Sequence, residues 1–460
     1  MSGKVIDVER LIENKPFGRF HVQIVVLCFL MMLIDGFDIS IGAFAGPGLL
    51  KQFGISHATL GAFFSAALFA GLVGTPFFGM LADRYGRKKI ITWGAIFFGI
   101  FTWASVIAAN FQQMIVLRFI ASMGVAGIMP ICVALASEFA PRHIRARMVT
   151  CMFVGATLGG VVSGLVSVRF TSVYGWQILF WISGVVPILL AFVLMAWLPE
   201  SLHYLIRRNL HRDRIVKTLR WMEPTLAVDE NDTFVVSEYK KHEVRVSALF
   251  AGRLAILTPL IWAANVCSLL VFYFANSWLP ITLGSSSLGT ANAAIATTLF
   301  IIGGSVGGVT VSLPLDKFGF LPVPILFACA IPALIAIGTP GLAPGALLAI
   351  IILAGFLLYG VQYGLIAMEG PLFPPPVRGR GVGFCFAIAR LGAMIGPAVG
   401  GVLISQHMPL QKMFFFFAIP LAVGCVITAI ITPLYRRQVL DAQQAVGEAE
   451  IVRVASSAVP

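Results

Sequence analysis

The sequence predicts an all-α integral membrane protein with twelve transmembrane helices in two parallel six-helix repeats. Hydrophobic residues make up 58% of the 460 residues, whereas charged residues make up only 11%, far below the ~25% of soluble domains. Apolar stretches near the ~20 residues needed to cross a bilayer recur along the whole chain. Identical residues also recur at one fixed offset. Most of the chain is therefore expected to lie in lipid.

Twelve apolar stretches account for the predicted helices. The first six are expected at residues 20–45, 58–80, 89–108, 112–137, 146–169 and 176–197. The second six are expected at residues 256–282, 292–313, 322–341, 344–369, 381–406 and 412–434. The polar residues between the two sets favour an amphipathic helix followed by a linker.

Lys and Arg in the short loops predict the orientation. Ten lie on one side: Arg84, Arg87, Lys88, Lys89, Arg142, Arg145, Arg147, Lys317, Arg378 and Arg380. Three lie on the other: Lys51, Arg169 and Lys412. The positive-inside rule then places both termini in the cytoplasm. These clusters explain the formal net charge of +12, so we expect no nucleic-acid partner.

The predicted organisation has five parts. They are a cytoplasmic N-terminal segment (1–19), a six-helix bundle (20–198), a cytoplasmic central loop (199–255), a second six-helix bundle (256–435) and a cytoplasmic tail (436–460). The expected location is a plasma membrane, such as the bacterial inner membrane.

An offset of 233 residues relates the two halves. The matched pairs are Pro47 and Pro280, Gly71 and Gly304, Gly74 and Gly307, Asp83 and Asp316, Gly86 and Gly319, Gly127 and Gly360, Arg145 and Arg378, and Arg147 and Arg380. A shared offset that includes Asp, Arg and Pro indicates an internal duplication. Parallel repeats of this kind place a substrate site near the midplane between the halves.

Asp35, Asp38, Arg118 and Arg390 lie within the predicted spans and break this duplication. Their counterparts at the same offset are not ionisable: Ser268, Val271, Ile351 and Thr157. A scaffold repeats, whereas a single central site need not. Ionisable groups at membrane depth are by default functional, because each is costly to insert.

Asp35 and Asp38 project from nearly one face of the first helix, since they are three residues apart. Each carboxylate senses the charge of the other, which favours the binding of a proton by one of them. Arg118 is expected at a similar depth, ~9 Å against ~10 Å for Asp38, so the two could pair. The alternative is a permanent structural ion pair without a role in coupling.

Arg390 falls near the middle of the eleventh span and is the predicted substrate-binding cation. A guanidinium binds a carboxylate through two hydrogen bonds and stays charged when dehydrated. The alternative is an Arg that bonds backbone carbonyls and only packs helices. Further candidates for the same cavity, each of which could instead serve packing, are Tyr273, Asn276, Tyr359 and Gln362.

The loop GMLADRYGRKK, residues 79–89, predicts a cytoplasmic gate, because it joins a small residue, an acid and a basic cluster where two helices meet. Asp83 is expected to contact Glu138 and Arg145. The other gate candidates are Arg84, Gly86, Arg87 and, in the repeated loop, Asp316. The alternative for such a loop, that it only sets topology, applies to Lys88 and Lys89.

Motifs of other protein classes are absent from the sequence. The seven cysteines show no metal-ligand spacing, and GATLGG (155–160) and GGSVGG (303–308) lack the strand context of a dinucleotide loop. Neither a nucleophile with a base nor a His cluster occurs at membrane depth. We therefore expect no enzyme activity, metal or cofactor.

Several motifs together resemble the major facilitator superfamily and, within it, the aromatic acid:proton symporter family. They are DGFD (35–38), GMLADRYGRK (79–88), Arg118 with Gly124 and Pro130, LPES (198–201) and ARLGAMIGPAVGG (389–401). The resemblance covers nearly all of residues 15–435. It implies the major facilitator fold and import of hydroxybenzoate-like carboxylates, driven by a proton gradient. We expect the chain to act as a monomer in membrane lipid.

Other functions remain open at this stage. The same fold serves symporters for another organic anion or a sugar, and also drug exporters. A membrane sensor for aromatic acids would use a similar binding site without transport. Loss of accumulation on Asp38→Asn would favour transport over sensing.

Overall fold

Helices form almost all of the chain. The computed structural model describes residues 5–13, 15, 17–208, 210, 212–223, 232–235, 246–284, 289–374 and 377–457. Residues 1–235 contain β1 (Val5–Asp7), α1 (Val8–Glu13), α2 (Arg19–Phe53), α3 (His57–Tyr85), α4 (Arg87–Ala104), α5 (Phe111–Glu138), α6 (Arg142–Tyr174), α7 (Gln177–Trp197), α8 (Leu202–Arg207), α9 (Arg212–Met222) and β2 (Thr233–Val235). Residues 254–457 contain α10 (Leu254–Gly284), α11 (Gly289–Thr310), α12 (Ser312–Phe318), α13 (Pro322–Ile337), α14 (Pro344–Leu372), α15 (Arg378–Ser405) and α16 (Leu410–Ser457).

Eleven helices among the described residues are long and apolar enough to cross a membrane. The ninth predicted span is the shorter helix α13, whose 16 residues extend ~24 Å. It ends at Ile337 rather than at 341, because Gly338 caps it and Pro340 disfavours a helical conformation of Thr339. The predicted fold class is confirmed.

The chain divides into two compact units. The first comprises residues 1–241 and 276–298, and the second comprises residues 242–275 and 299–460. In the first unit α2 packs along α6, α3 along α5, and α4 along α7. In the second unit α13 packs on α14 and α16.

Residues 276–298 belong to the first unit through aromatic contacts. The ring of Trp278 lies 5.6 Å from that of Phe64 and 6.1 Å from that of His57, measured between centroids. Ile281 fills the space beside Gly46. The end of α10 therefore packs on α2 and α3.

One close helix contact recurs in both units at the 233-residue offset. A Cβ atom on Gly159 of α6 would collide with the carbonyl oxygen of Leu33 of α2. A Cβ atom on Gly392 of α15 would collide in the same way with the carbonyl oxygen of Val266 of α10. Small residues at such points let helix backbones approach closely.

A second close contact recurs at the same offset. Gly74 of α3 faces the backbone of Met123 of α5, and Gly307 of α11 faces the backbone of Phe356 of α14. The duplication that the sequence indicates is therefore a duplication of helix packing.

The N-terminal segment pairs with the central loop, which the sequence did not predict. Strands β1 and β2 are parallel, with Ile6 opposite Phe234, and they depart from an otherwise helical fold. The amphipathic helix expected in the central loop is α9, whose buried residues are Ile215, Thr218, Leu219 and Met222. Val8 and Ile12 of α1 are buried in the same apolar cluster as Ile215, Leu219 and Met222.

Candidate functional site

The centre of the first unit holds a buried ion pair between Asp38 of α2 and Arg118 of α5. Arg118 donates from Nη1 to Asp38 Oδ1 at 2.5 Å and from Nη2 to Asp38 Oδ2 at 2.7 Å. Nη2 also donates to the Asp38 carbonyl oxygen at 2.9 Å. Asp38 is 2% exposed and Arg118 is 3% exposed. The pair expected from the sequence is thus present, in the bidentate form typical of strong Arg–carboxylate contacts.

Helix α7 supplies two further contacts to this pair, neither of which the sequence predicted. Ser183 donates from Oγ to Asp38 Oδ1 at 3.2 Å. The Phe180 ring lies with its centroid 5.7 Å from the Arg118 guanidinium carbon, within the range of a cation–π contact. A Ser and a Phe three residues apart are too common in membrane helices to have signalled this role.

Asp35 lies one turn before Asp38 on α2 and is also buried. The structure therefore places both carboxylates of the DGFD motif inside the first unit.

Arg390 lies near the middle of α15, twelve residues after the first residue of a 28-residue helix. Its side chain is half-buried. Among the residues that the structure describes, none accepts a hydrogen bond from Arg390 or pairs with its charge. A guanidinium at this depth without a protein acceptor is able to bind an anion.

Gln362 and Tyr359 lie together on α14, facing α10. Ser268 of α10 donates from Oγ to Gln362 Oε1 at 2.9 Å. The Tyr359 ring contacts the rings of Phe272, at a centroid distance of 4.6 Å, and Phe300, at 5.9 Å. Tyr359 is thus a buried member of an aromatic cluster.

The remaining predicted binding residues lie on α10. Tyr273 is half-buried, and its ring contacts Phe272 at a centroid distance of 5.3 Å. Asn276 is buried and belongs to the segment that packs on the first unit.

Glu138 at the end of α5 organises the predicted gate. It pairs with Arg87 at the start of α4. Ser201 donates from Oγ to Glu138 Oε2 at 2.6 Å, and His203 Nδ1 lies 3.5 Å from Glu138 Oε1. The sequence named Glu138 and Arg87 but missed Ser201 and His203, which follow the sixth span.

Gly86 joins α3 to α4 with a φ of 102°, a conformation that favours glycine. A Cβ atom here would also meet the Glu200 carboxylate. Glu200 Oε1 accepts a hydrogen bond from the backbone N–H of Lys88 at 2.9 Å. A carboxylate at this position stabilises the N-terminus of α4.

Other predicted gate residues make fewer contacts. Asp83 and Asp316 are exposed, and neither forms a hydrogen bond or ion pair within the described part of the chain. Arg145 donates from Nη2 to the Ala140 carbonyl at 3.2 Å, and the Arg84 guanidinium lies over the Tyr85 ring. Asp83 therefore forms no hydrogen bond or ion pair with Glu138 or Arg145 in this structure.

An open pocket of about 220 Å³ adjoins the Glu138 pair. It is lined by Glu9, Ile12, Glu13, Arg87, Ala134, Ser137, Glu138, Arg145 and His203. Within the described residues, no group of three or more His, Cys, Asp or Glu side chains could hold a metal ion.

Glu369, near the end of α14, is a buried ionisable residue that sequence reasoning missed. It is 1% exposed. Its Oε2 atom has no hydrogen-bond partner among the described residues. The sequence contained a signal for it, namely an acidic residue within a predicted membrane span, because Glu369 is the last residue of the predicted tenth span.

The family model described as Major Facilitator Superfamily matches residues 28–369. The chain is 34% identical over 427 residues to the 4-hydroxybenzoate transporter PcaK of Pseudomonas putida, covering 92% of this chain and 95% of that protein. It is 31% identical over 417 residues to a gallate transporter of Pseudomonas putida, covering 90% of this chain and 92% of that protein.

A solved structure shares the fold. The crystal structure of a D-xylose-proton symporter superposes with a TM-score of 0.68 at 17% sequence identity, covering 89% of this chain and 96% of that one.

Proposed function

The chain belongs to the major facilitator superfamily, and from that premise we propose that it takes up benzoate- or hydroxybenzoate-like aromatic carboxylates together with protons. The chain is a multi-pass membrane transporter and not an enzyme. Two relatives of similar length are named for transport of 4-hydroxybenzoate and gallate. Both compounds are aromatic carboxylates, and alternating access in this fold would carry them across the membrane.

Arg390 is the observation that carries the proposal. The Arg390 guanidinium lies near the middle of its helix, and no described side chain or carbonyl accepts a hydrogen bond from it. The free-energy cost of a charge at this depth must therefore be offset by a group outside the described residues. A substrate carboxylate would supply two acceptors in the planar geometry that a guanidinium matches.

The proposed aromatic part of the site consists of the residues predicted to line the cavity. Tyr359 and Tyr273 lie in the aromatic cluster around Phe272, which supports an apolar surface for a benzene ring. The Gln362 amide and Asn276 would hydrogen-bond ring substituents. Ser268 already fixes the orientation of Gln362.

Proton coupling is proposed at Asp38, with Arg118 and Asp35 as its charged neighbours. A carboxylate that exchanges between a guanidinium and a proton changes the charge of the buried site, and this change would favour movement of α2 relative to α5. The bidentate contact supports this proposal because it gives the deprotonated state a defined structure.

The cytoplasmic gate is proposed to contain Asp83, Arg84, Gly86, Arg87, Glu138, Arg145 and Asp316. The Arg87–Glu138 pair supports it. Asp83 and Asp316 are exposed in this structure, so their gate contacts would form in another conformation.

We propose that the predicted five-part division of the chain holds for the protein in its membrane, with both termini in the cytoplasm. We place it as a monomer in the plasma membrane, with the proton gradient as its energy source and no cofactor.

Uptake into proteoliposomes tests the function. We expect wild-type protein to accumulate labelled 4-hydroxybenzoate only under an inward proton gradient, and a protonophore to abolish the accumulation. Arg390→Ala and Asp38→Asn should both lose it. Arg169→Ala, which removes an exposed Arg of α6, should accumulate as wild type does. Absence of uptake of any benzoate-type acid by folded wild-type protein would refute the substrate class.

A further inference from the structure

Ser183 is the α7 residue whose side chain donates a hydrogen bond to Asp38. We propose that Ser183 is a positioning residue that satisfies the Asp38 carboxyl group in both of its protonation states. This inference rests on the proposed proton coupling at Asp38. It assigns the sixth transmembrane helix a part in the coupling step.

The hydrogen bonds to Asp38 differ in what they can do. Arg118 has only donors, so it binds the carboxylate but cannot accept a proton from the carboxylic acid. A serine hydroxyl is one donor and also an acceptor. Ser183 donates to Asp38 Oδ1 when Asp38 is ionised, and after rotation of its O–H it can accept from a protonated Asp38.

Burial makes this second role necessary. Asp38 and Ser183 are each 2% exposed, so a protonated Asp38 released by Arg118 would have little access to water. A buried hydroxyl donor without an acceptor is costly. Ser183 removes that cost in the protonated state. The ionised carboxylate depends less on Ser183, because Arg118 binds it through two hydrogen bonds. Ser183 therefore favours the state in which the proton is bound.

No other ionisable side chain competes for this position in the helices that pack on α2. Asp35 shares α2, and on α5 Arg118 contacts Asp38 whereas Glu138 is the last residue of the helix. Helix α7 contains no Asp, Glu, Lys, Arg or His. The charged residues and histidines of α3 and α6 lie near their helix ends, and residues 276–298 contain none.

Infrared spectroscopy of purified protein in lipid tests the inference without substrate. The carbonyl stretch of protonated Asp38 is identified by its loss in Asp38→Asn. In Ser183→Ala we expect this band at higher frequency, because the hydrogen bond is lost. Ser183→Thr keeps a hydroxyl and should keep the wild-type frequency. Ser163→Ala is the matched control, since Ser163 is a buried serine of α6 that donates to its own helix at Gly160.

The proton dependence of uptake gives the second readout. We expect Ser183→Ala to need a roughly three- to tenfold higher proton concentration for half-maximal uptake, which corresponds to the loss of one hydrogen bond. An unchanged band in Ser183→Ala, or no Asp38 band at any pH, would overturn the inference. If the band shifts in Ser183→Ala but wild-type protein takes up no aromatic acid, the proposed function is refuted and the role of Ser183 stands.

Discussion

Arg118 holds Asp38 through two parallel hydrogen bonds, at 2.5 and 2.7 Å, in a site that is closed to solvent. Two charges withdrawn from water lose hydration that only a well-formed pair with further hydrogen bonds repays. The Asp38 carbonyl and Ser183 provide those additional bonds. Removal of either charge would therefore leave the other buried without compensation.

Because each charge of the pair depends on the other, a double variant can distinguish the role of the pair in stability from its role in transport. Arg118→Met alone should lower the free energy of unfolding by about 3–5 kcal/mol, because it leaves a buried charge unpaired. Asp38→Leu combined with Arg118→Met should recover most of that loss, yet take up no substrate. Denaturation in mixed detergent micelles measures the first effect, and proteoliposome uptake measures the second. A double variant as unstable as the single one would show that the pair is not an isolated unit.

Arg390→Lys tests the geometry of substrate binding. Lysine keeps the charge but loses the planar pair of donors. The loss of one charge-assisted hydrogen bond costs about 1.5–3 kcal/mol, so we expect the half-saturating concentration of 4-hydroxybenzoate to rise at least tenfold.

The neutral analogue 4-hydroxybenzamide is the matched ligand for this variant. It should compete poorly with 4-hydroxybenzoate in wild-type protein, because it has no carboxylate for Arg390. Equal competition by the amide and the acid in wild-type protein would show that Arg390 does not bind the substrate carboxylate.

Sequence reasoning identified the features that depend on composition and repetition. The apolar stretches determined the helices, because lipid leaves no other way to satisfy the backbone. Asp38 and Arg118 were identifiable because buried charges in lipid are rare and the two residues lie at similar depth. Gly74 and Gly307 were identified as equivalent positions, although the backbones that they face were not.

Features that depend on neighbours in three dimensions could not be predicted from the sequence. Ser183 gives no signal in an apolar helix, since its role exists only when α7 lies beside α2. The β1–β2 pairing joins segments more than 200 residues apart along the chain, and no local pattern marks it. Asp83 was expected to contact Glu138, but the Glu138 carboxylate at the end of α5 pairs with Arg87 at the start of α4.

Glycines at the repeated contacts should tolerate substitution less than neighbours on the same helix. Gly74→Ala and Gly392→Ala place a methyl group against facing backbone, and we expect a loss of about 1–3 kcal/mol in unfolding free energy. Gly79→Ala on α3 and Gly383→Ala on α15 are matched controls, because nothing lies within 4 Å of the added Cβ atom. They should be neutral or more stable, since alanine favours helix by about 1 kcal/mol. Equal losses in all four variants would contradict the packing role.

Glu369 and Glu138 offer a comparison between two carboxyl groups near the ends of α14 and α5. Glu138 is paired with Arg87, whereas no described residue forms an ion pair with Glu369. Glutamine would remove the cost of a buried charge. We therefore expect Glu369→Gln to raise the thermal unfolding midpoint or leave it unchanged, and Glu138→Gln to lower it by several degrees. Thermal unfolding in detergent at pH 8 measures both. A loss in Glu369→Gln as large as that in Glu138→Gln would mean that Glu369 is ion-paired in the functioning protein.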